Sequence, residues 1–158
     1  MDSLIVSCID DRPQVLELRK ATLESHGFCV KIASSGYTAM KMLEETSVAA
    51  VLLEYKHEGM DAKAVACHIK QRFPNLPIIL LSAYSEMPER IIWLVDEYVM
   101  KGELPGRLVP IIERAHRLAP RSTERLQRRG VAAQGFCVPV LMRRIPAWVI
   151  SSQAHMSP

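Results

Sequence analysis

Ala49-Ala50-Val51-Leu52-Leu53-Glu54 is a run of five apolar residues closed by a carboxylate. Polar residues do not alternate within it, so it reads as a strand buried on both faces, as in a parallel sheet covered by helices. Three other strand patterns also close on a polar group: Leu4–Ile9 at Asp10-Asp11, Pro77–Leu81 at Ser82, and Tyr98–Met100 at Lys101. Phe28–Ala33 supplies a fifth, partly β-branched strand.

Helical patterns separate the strands. Pro13 suits a first helical position, and a helix is expected from there to His26, stopped by Gly27. Ser34-Ser35-Gly36 opens a second, with Ala39, Met42 and Leu43 on one face. Ala62, Val65, Ala66, Ile69 and Phe73 mark a third, with Asp61 as its expected N-cap. A short fourth helix is expected from Pro88 to about Leu94. Leu104, Leu108, Ile111, Ile112 and Ala115 trace a fifth, in which Pro110 marks either a late start or a kink. Five strands alternating with five helices predict a doubly wound α/β fold with right-handed crossovers.

Composition bounds the rest. The 158 residues suit one domain and a tail, and 49% apolar residues suffice for a core. No stretch reaches the ~18 apolar residues of a membrane span. The N-terminus lacks the basic region of a signal peptide, so a cytoplasmic location is expected. The four scattered cysteines (Cys8, Cys29, Cys67, Cys137) form no metal-ligand spacing and read as small buried hydrophobes. Residues 1–106 carry 11 Lys/Arg against 15 Asp/Glu, a net −4. Residues 107–158 carry 9 against 2, a net +7, so an acidic body of residues 1–118 precedes a basic extension, residues 119–158.

In an open parallel sheet, functional groups collect at the carboxyl ends of the strands. Asp10, Asp11 and Glu54 would repel one another there unless compensated. Lys101 is one source of compensation, and a hard cation such as Mg²⁺ is another. A carboxylate beside Mg²⁺, with a lysine and a hydroxyl nearby, can accept a phosphoryl group.

With these residues in place, the chain resembles a bacterial response-regulator receiver domain over residues 1–118. Val51-Leu52-Leu53-Glu54-Tyr55-Lys56-His57-Glu58-Gly59-Met60-Asp61 resembles the family's acceptor strand and its following loop. Pro77-Ile78-Ile79-Leu80-Leu81-Ser82-Ala83 resembles the strand that carries the switch hydroxyl, and Asp96-Glu97-Tyr98-Val99-Met100-Lys101 the strand with the switch aromatic and the lysine. The resemblance implies a flavodoxin-like (βα)₅ sheet of order 2-1-3-4-5. It implies Asp10, Asp11, Glu54 and the Lys56 carbonyl as Mg²⁺ ligands, with Asp11 the direct carboxylate of the acidic pair. It implies Ser82 and Tyr98 as switch residues and Lys101 as the phosphoryl-binding group. Implied partners are a histidine kinase or another signalling protein, and a second copy through the face of the fourth helix, fifth strand and fifth helix. A stand-alone receiver without enzymatic activity is expected.

Three departures stand out. Glu54 occupies the position where the family has Asp, Gly102 follows Lys101 where the family has Pro, and the Ser82–Lys101 spacing is short, which truncates the fourth helix. Glu carries its carboxylate about 1.5 Å farther than Asp. Phosphoryl transfer depends on positioning, and a misplacement of ~1 Å costs ~10²-fold, so rapid acyl-phosphate formation is not expected and Mg²⁺ binding should be weakened. The longer arm should instead pair with Lys101 or bond Ser82. A degenerate receiver acting by protein contact is the preferred expectation, and a slow phospho-accepting switch the alternative. A third reading assigns nucleic acid or an acidic partner to the basic run Arg114, Arg117, Arg121, Arg125, Arg128 and Arg129, although no DNA-reading pattern accompanies it. His26 and His68 have no ligand partner at i+4, and Trp93 is expected to pack beneath the fourth helix.

Overall fold

The structure, a computed structural model, describes residues 3–55, 61–103 and 106–118. In chain order they form β1 (Ile5–Ile9), α1 (Pro13–Glu24), β2 (Cys29–Ala33), α2 (Gly36–Glu45), β3 (Ala50–Glu54), α3 (Ala62–Arg72), β4 (Ile78–Ser82), α4 (Glu89–Ile92), β5 (Glu97–Met100) and α5 (Leu108–Leu118). All strand pairs are parallel, and the order is β2-β1-β3-β4-β5. The alternation of patterns predicts the doubly wound parallel sheet, and its order is the flavodoxin-like one that the resemblance implies.

Each helix begins and ends for a local reason. Pro13 opens α1 where its missing N–H has no helical partner. Gly27, with φ +88°, takes the left-handed turn that lets the chain leave α1 for β2. Ser35 caps α2 through a reciprocal capping box with Thr38. Asp61 caps α3 by accepting from the Lys63 and Ala64 amides. Pro110 is the third residue of α5, inside the first turn, so it marks the late start rather than a kink. Leu104 lies outside the described residues. As the short Ser82–Lys101 spacing implies, α4 is a single turn.

Strand parity sends side chains to two cores. Val51, Leu53, Ile78 and Leu80 meet α2, α3 and α4 on one face. Val6, Cys8, Leu52 and Leu81 meet α1 and α5 on the other. β3 and β4 lie mid-sheet between both layers and are buried at every residue. At the opposite end of the sheet from the polar strand ends, Asp96 accepts from the Ile78 amide at 2.8 Å and pairs with Lys70 at 2.6 Å, tying the approach to β5 to the start of β4.

Three expectations need correction. Trp93 does not pack beneath α4 but is 64% exposed, because one helical turn is too short to cover an indole. Cys29 is exposed rather than buried, since it opens edge strand β2 on an outward-facing position. Cys67 is only partly buried. Cys8 does behave as a buried hydrophobe: burial pushes its thiol from 9.0 up to about 12, which keeps it protonated at neutral pH.

Ser7 is fully buried in β1, and its hydroxyl has no hydrogen-bond partner among the described residues. A buried unpartnered hydroxyl costs about 1–3 kcal/mol. Ser7→Ala should therefore raise stability, by about 1 kcal/mol after the small loss of packing, as an increase in the urea midpoint. A lower midpoint would show that the hydroxyl is satisfied.

Candidate functional site

The pairing of β1 with β3 builds the site. Val6 lies beside Ala50 and Cys8 beside Leu52. Continuing both alternations one step brings Asp10 and Glu54 together at the carboxyl edge, on the face covered by α1 and α5. Asp10 is fully buried and Glu54 is 1% exposed. Two buried carboxylates side by side need positive charge, and α1 and β5 supply it.

Arg12, at the mouth of α1, holds Asp10 with three donors. Its amide and Nε donate to Oδ1 at 3.0 and 3.2 Å, and its Nη2 donates to Oδ2 at 3.3 Å. Arg19 lies one and a half turns into α1 on the stripe Leu16–Arg19–Leu23, otherwise apolar and buried. Its guanidinium spans the pair, with Nη1 3.6 Å from Asp10 Oδ2 and Nη2 3.6 Å from Glu54 Oε2. Arg12 Nη2 is 3.7 Å from the same Glu54 oxygen. Lys101, just beyond β5, reaches Glu54 Oε2 at 2.8 Å. Despite that distance, Glu54 Oε2 makes no hydrogen bond of sound geometry among the described residues, and Arg19 Nη1, 3.6 Å from Asp10, lies beyond hydrogen-bond reach. Coulomb attraction does not need the angle, so these contacts are ion pairs. The bonds to Asp10, and then the Asp10, Glu54 and Asp11 charges, hold the Arg12 guanidinium above its ordinary value.

The hydroxyl residues form a separate group. Ser82, 1% exposed, closes β4 on the face of Leu80, and its Oγ accepts from the Tyr84 amide at 3.0 Å. Tyr98 lies beside Leu80 in the register, and its hydroxyl donates to the Tyr84 carbonyl. Burial pushes the Tyr98 hydroxyl above 10.0, against an opposing pull from Ser82. Of the two expected contacts for Glu54, the one with Lys101 forms, whereas Ser82 is turned to the loop after β4.

Asp10, Glu54 and Lys101 thus meet in one pocket, with Ser82 and Tyr98 linked through Tyr84 beside it. Lys56 lies outside the described residues. Of the expected Mg²⁺ ligands, Asp10 and Glu54 Oε2 as placed do not fit a metal. Both Asp10 oxygens face guanidinium groups, and Glu54 Oε2 has three cationic heads within 3.7 Å. A divalent ion on these oxygens would lie against like charge. Among the described residues, no group of three or more His, Cys, Asp or Glu is placed to hold a metal.

Arg12 and Arg19 went unnoticed in the residue patterns. The available signal was a charged residue on the apolar stripe of α1. His26 and His68 are exposed, and His26 Nδ1 sits 2.8 Å from the Thr22 carbonyl. In the basic run, Arg114 pairs with Glu97, and Arg117 lies 4.0 Å from Glu113. Residues 119–158, with the remaining arginines, lie outside the described residues, and no described helix is long and apolar enough to cross a membrane.

Comparison with known proteins agrees with this fold. An NtrX-like response regulator of Rickettsia felis is 29% identical over 120 residues, covering 73% of this chain and 25% of that protein. The chain thus spans about a quarter of that relative's length. SrrA of Staphylococcus aureus, a transcriptional regulatory protein, is 30% identical over 104 residues, covering 64% of this chain and 43% of its own. The response regulator TrrA of Thermotoga maritima, solved in complex with Mg²⁺-BeF, superposes with a TM-score of 0.65 at 28% identity, over 71% of this chain and 98% of that one. TrrA has also been solved in complex with the histidine kinase ThkA, and that structure superposes with a TM-score of 0.65 at 28% identity, over 71% of this chain and 97% of that one. Residues 6–113 match the response regulator receiver domain, and the chain belongs to that family.

Proposed function

We propose that this receiver domain of a two-component response regulator works by protein contact, with Glu54 held in an ion pair in place of phosphoryl chemistry. The observation that carries this reading is Glu54 itself. It is buried, its charge is matched by Lys101 at 2.8 Å, and its carboxylate is flanked by Arg12 and Arg19. A carboxylate so neutralised is a poor nucleophile, and its longer arm misplaces the attacking oxygen. Ser82 supports the same reading, since it closes β4 on the face of Leu80, the face opposite that of Glu54, and accepts there from the Tyr84 amide.

The complex of TrrA with a histidine kinase supports a kinase or related signalling protein as partner. The docking face would include the single turn of α4, β5 and α5, where Trp93 stands exposed. The same face is the proposed site for pairing with a second copy. The internal pairing of Arg114 with Glu97 lends no support to nucleic acid as a partner for α5.

Acetyl phosphate with Mg²⁺, followed by intact mass measurement, tests the reading. The wild-type chain should gain no stoichiometric phosphoryl adduct, and beryllofluoride with Mg²⁺ should leave its spectrum unchanged. Stoichiometric labelling of the wild type would establish a phospho-accepting switch instead.

A further inference from the structure

We infer that Arg12 and Arg19 are built-in counter-ions that replace a divalent cation, so that the carboxylate pocket is closed to Mg²⁺ for as long as Arg12 is seated. The inference rests on the receiver reading of the pocket but not on whether Glu54 accepts phosphate.

Charge and geometry agree. Asp10 and Glu54 meet at the strand ends, and Arg12, Arg19 and Lys101 face them, three positive groups on two buried carboxylates. In a receiver pocket that binds metal, a hard cation would draw its oxygens from these acids. Here Asp10 spends both oxygens on the arginines. Arg19 bridges the two buried carboxylates, which is the place a shared cation would take. Its side chain is 7% exposed and is anchored between Leu16 and Leu23 on the inward face of α1, so it cannot leave without disturbing the helix packing. The Arg12 side chain is 49% exposed and reaches the same oxygens from the rim. Arg12 is therefore the removable counter-ion and Arg19 the fixed one. Both are positioning residues: they set the charge and direction of Asp10 and Glu54.

Mn²⁺ serves as the probe, because it shares the oxygen-ligand preference of Mg²⁺ and its free form gives a countable paramagnetic resonance signal. The full chain is titrated with no phosphate donor present. Wild type should leave the free Mn²⁺ signal unchanged into the millimolar range. Arg12→Ala should tighten Mn²⁺ binding by about tenfold or more, since one positive charge is removed from beside a divalent ion. Arg12→Ala/Arg19→Met, which keeps the apolar stem volume under α1, should tighten it further. Wild type that binds Mn²⁺ as tightly as the variants overturns the inference, as do folded variants that gain nothing. A phosphorylated wild type that still binds no Mn²⁺ would remove the protein-contact reading and leave this one standing.

Discussion

Asp10→Ala is expected to destabilise the protein by about 3–5 kcal/mol, read as a lower urea midpoint with an unchanged slope. Breaking a buried charge pair by removing one partner leaves the other uncompensated, and that cost exceeds the net value of the pair. Here the stranded group is the buried Arg19, whose remaining ion-pair partner among the described residues would be Glu54 Oε2 at 3.6 Å. Arg12 would lose three hydrogen bonds at the same time. Arg19→Leu is the informative companion. It completes the apolar stripe of Leu16 and Leu23 and leaves Asp10 to Arg12 and Glu54 to Lys101. Its cost should be clearly smaller than that of Asp10→Ala. Equal losses would mean that packing around Arg19, not charge, holds α1 against the sheet.

Leu80→Ala is expected to cost about 2–5 kcal/mol, through lost burial and the cavity left behind. Leu80 is fully buried mid-sheet in β4, flanked by Leu53 of β3 and Tyr98 of β5. Both neighbours are strand residues fixed by the ladder, so the site cannot collapse to refill the space. The same truncation at Trp93 removes a larger side chain from an exposed position, and stability there should move by less than about 0.5 kcal/mol. A small loss at Leu80 would contradict the two-layer core. A large loss at Trp93 would contradict its exposure.

Much of this was legible in the residues. An apolar run without alternation identifies β3 and β4 as central strands, and each run ends where its polar residue meets the sheet edge. The caps of α2 and α3 follow from Ser35 and Asp61, because capping is a contact over two or three residues. Trp93 and Cys29 were misread for a common reason. Their exposure depends on how much neighbouring structure covers them, which a type-by-type expectation of burial does not contain. Arg19 was missed because its meaning is not local. Periodicity marks it as a charge on an apolar stripe, but Glu54, one of its partners, lies 35 positions along the chain.

By itself, the sequence determined the fold class and marked the acids, hydroxyls and lysine that close the strands. Short-range patterns decide these features: period 2 against 3.6, capping residues, and turn residues. Only the tertiary structure decided how the charges of the pocket are balanced. Parallel pairing sets Asp10 beside Glu54, and the seating of α1 on that face lays two guanidinium groups across them. Electrostatic compensation depends on distance in space and on burial, so it appears only once strands and helix are packed together.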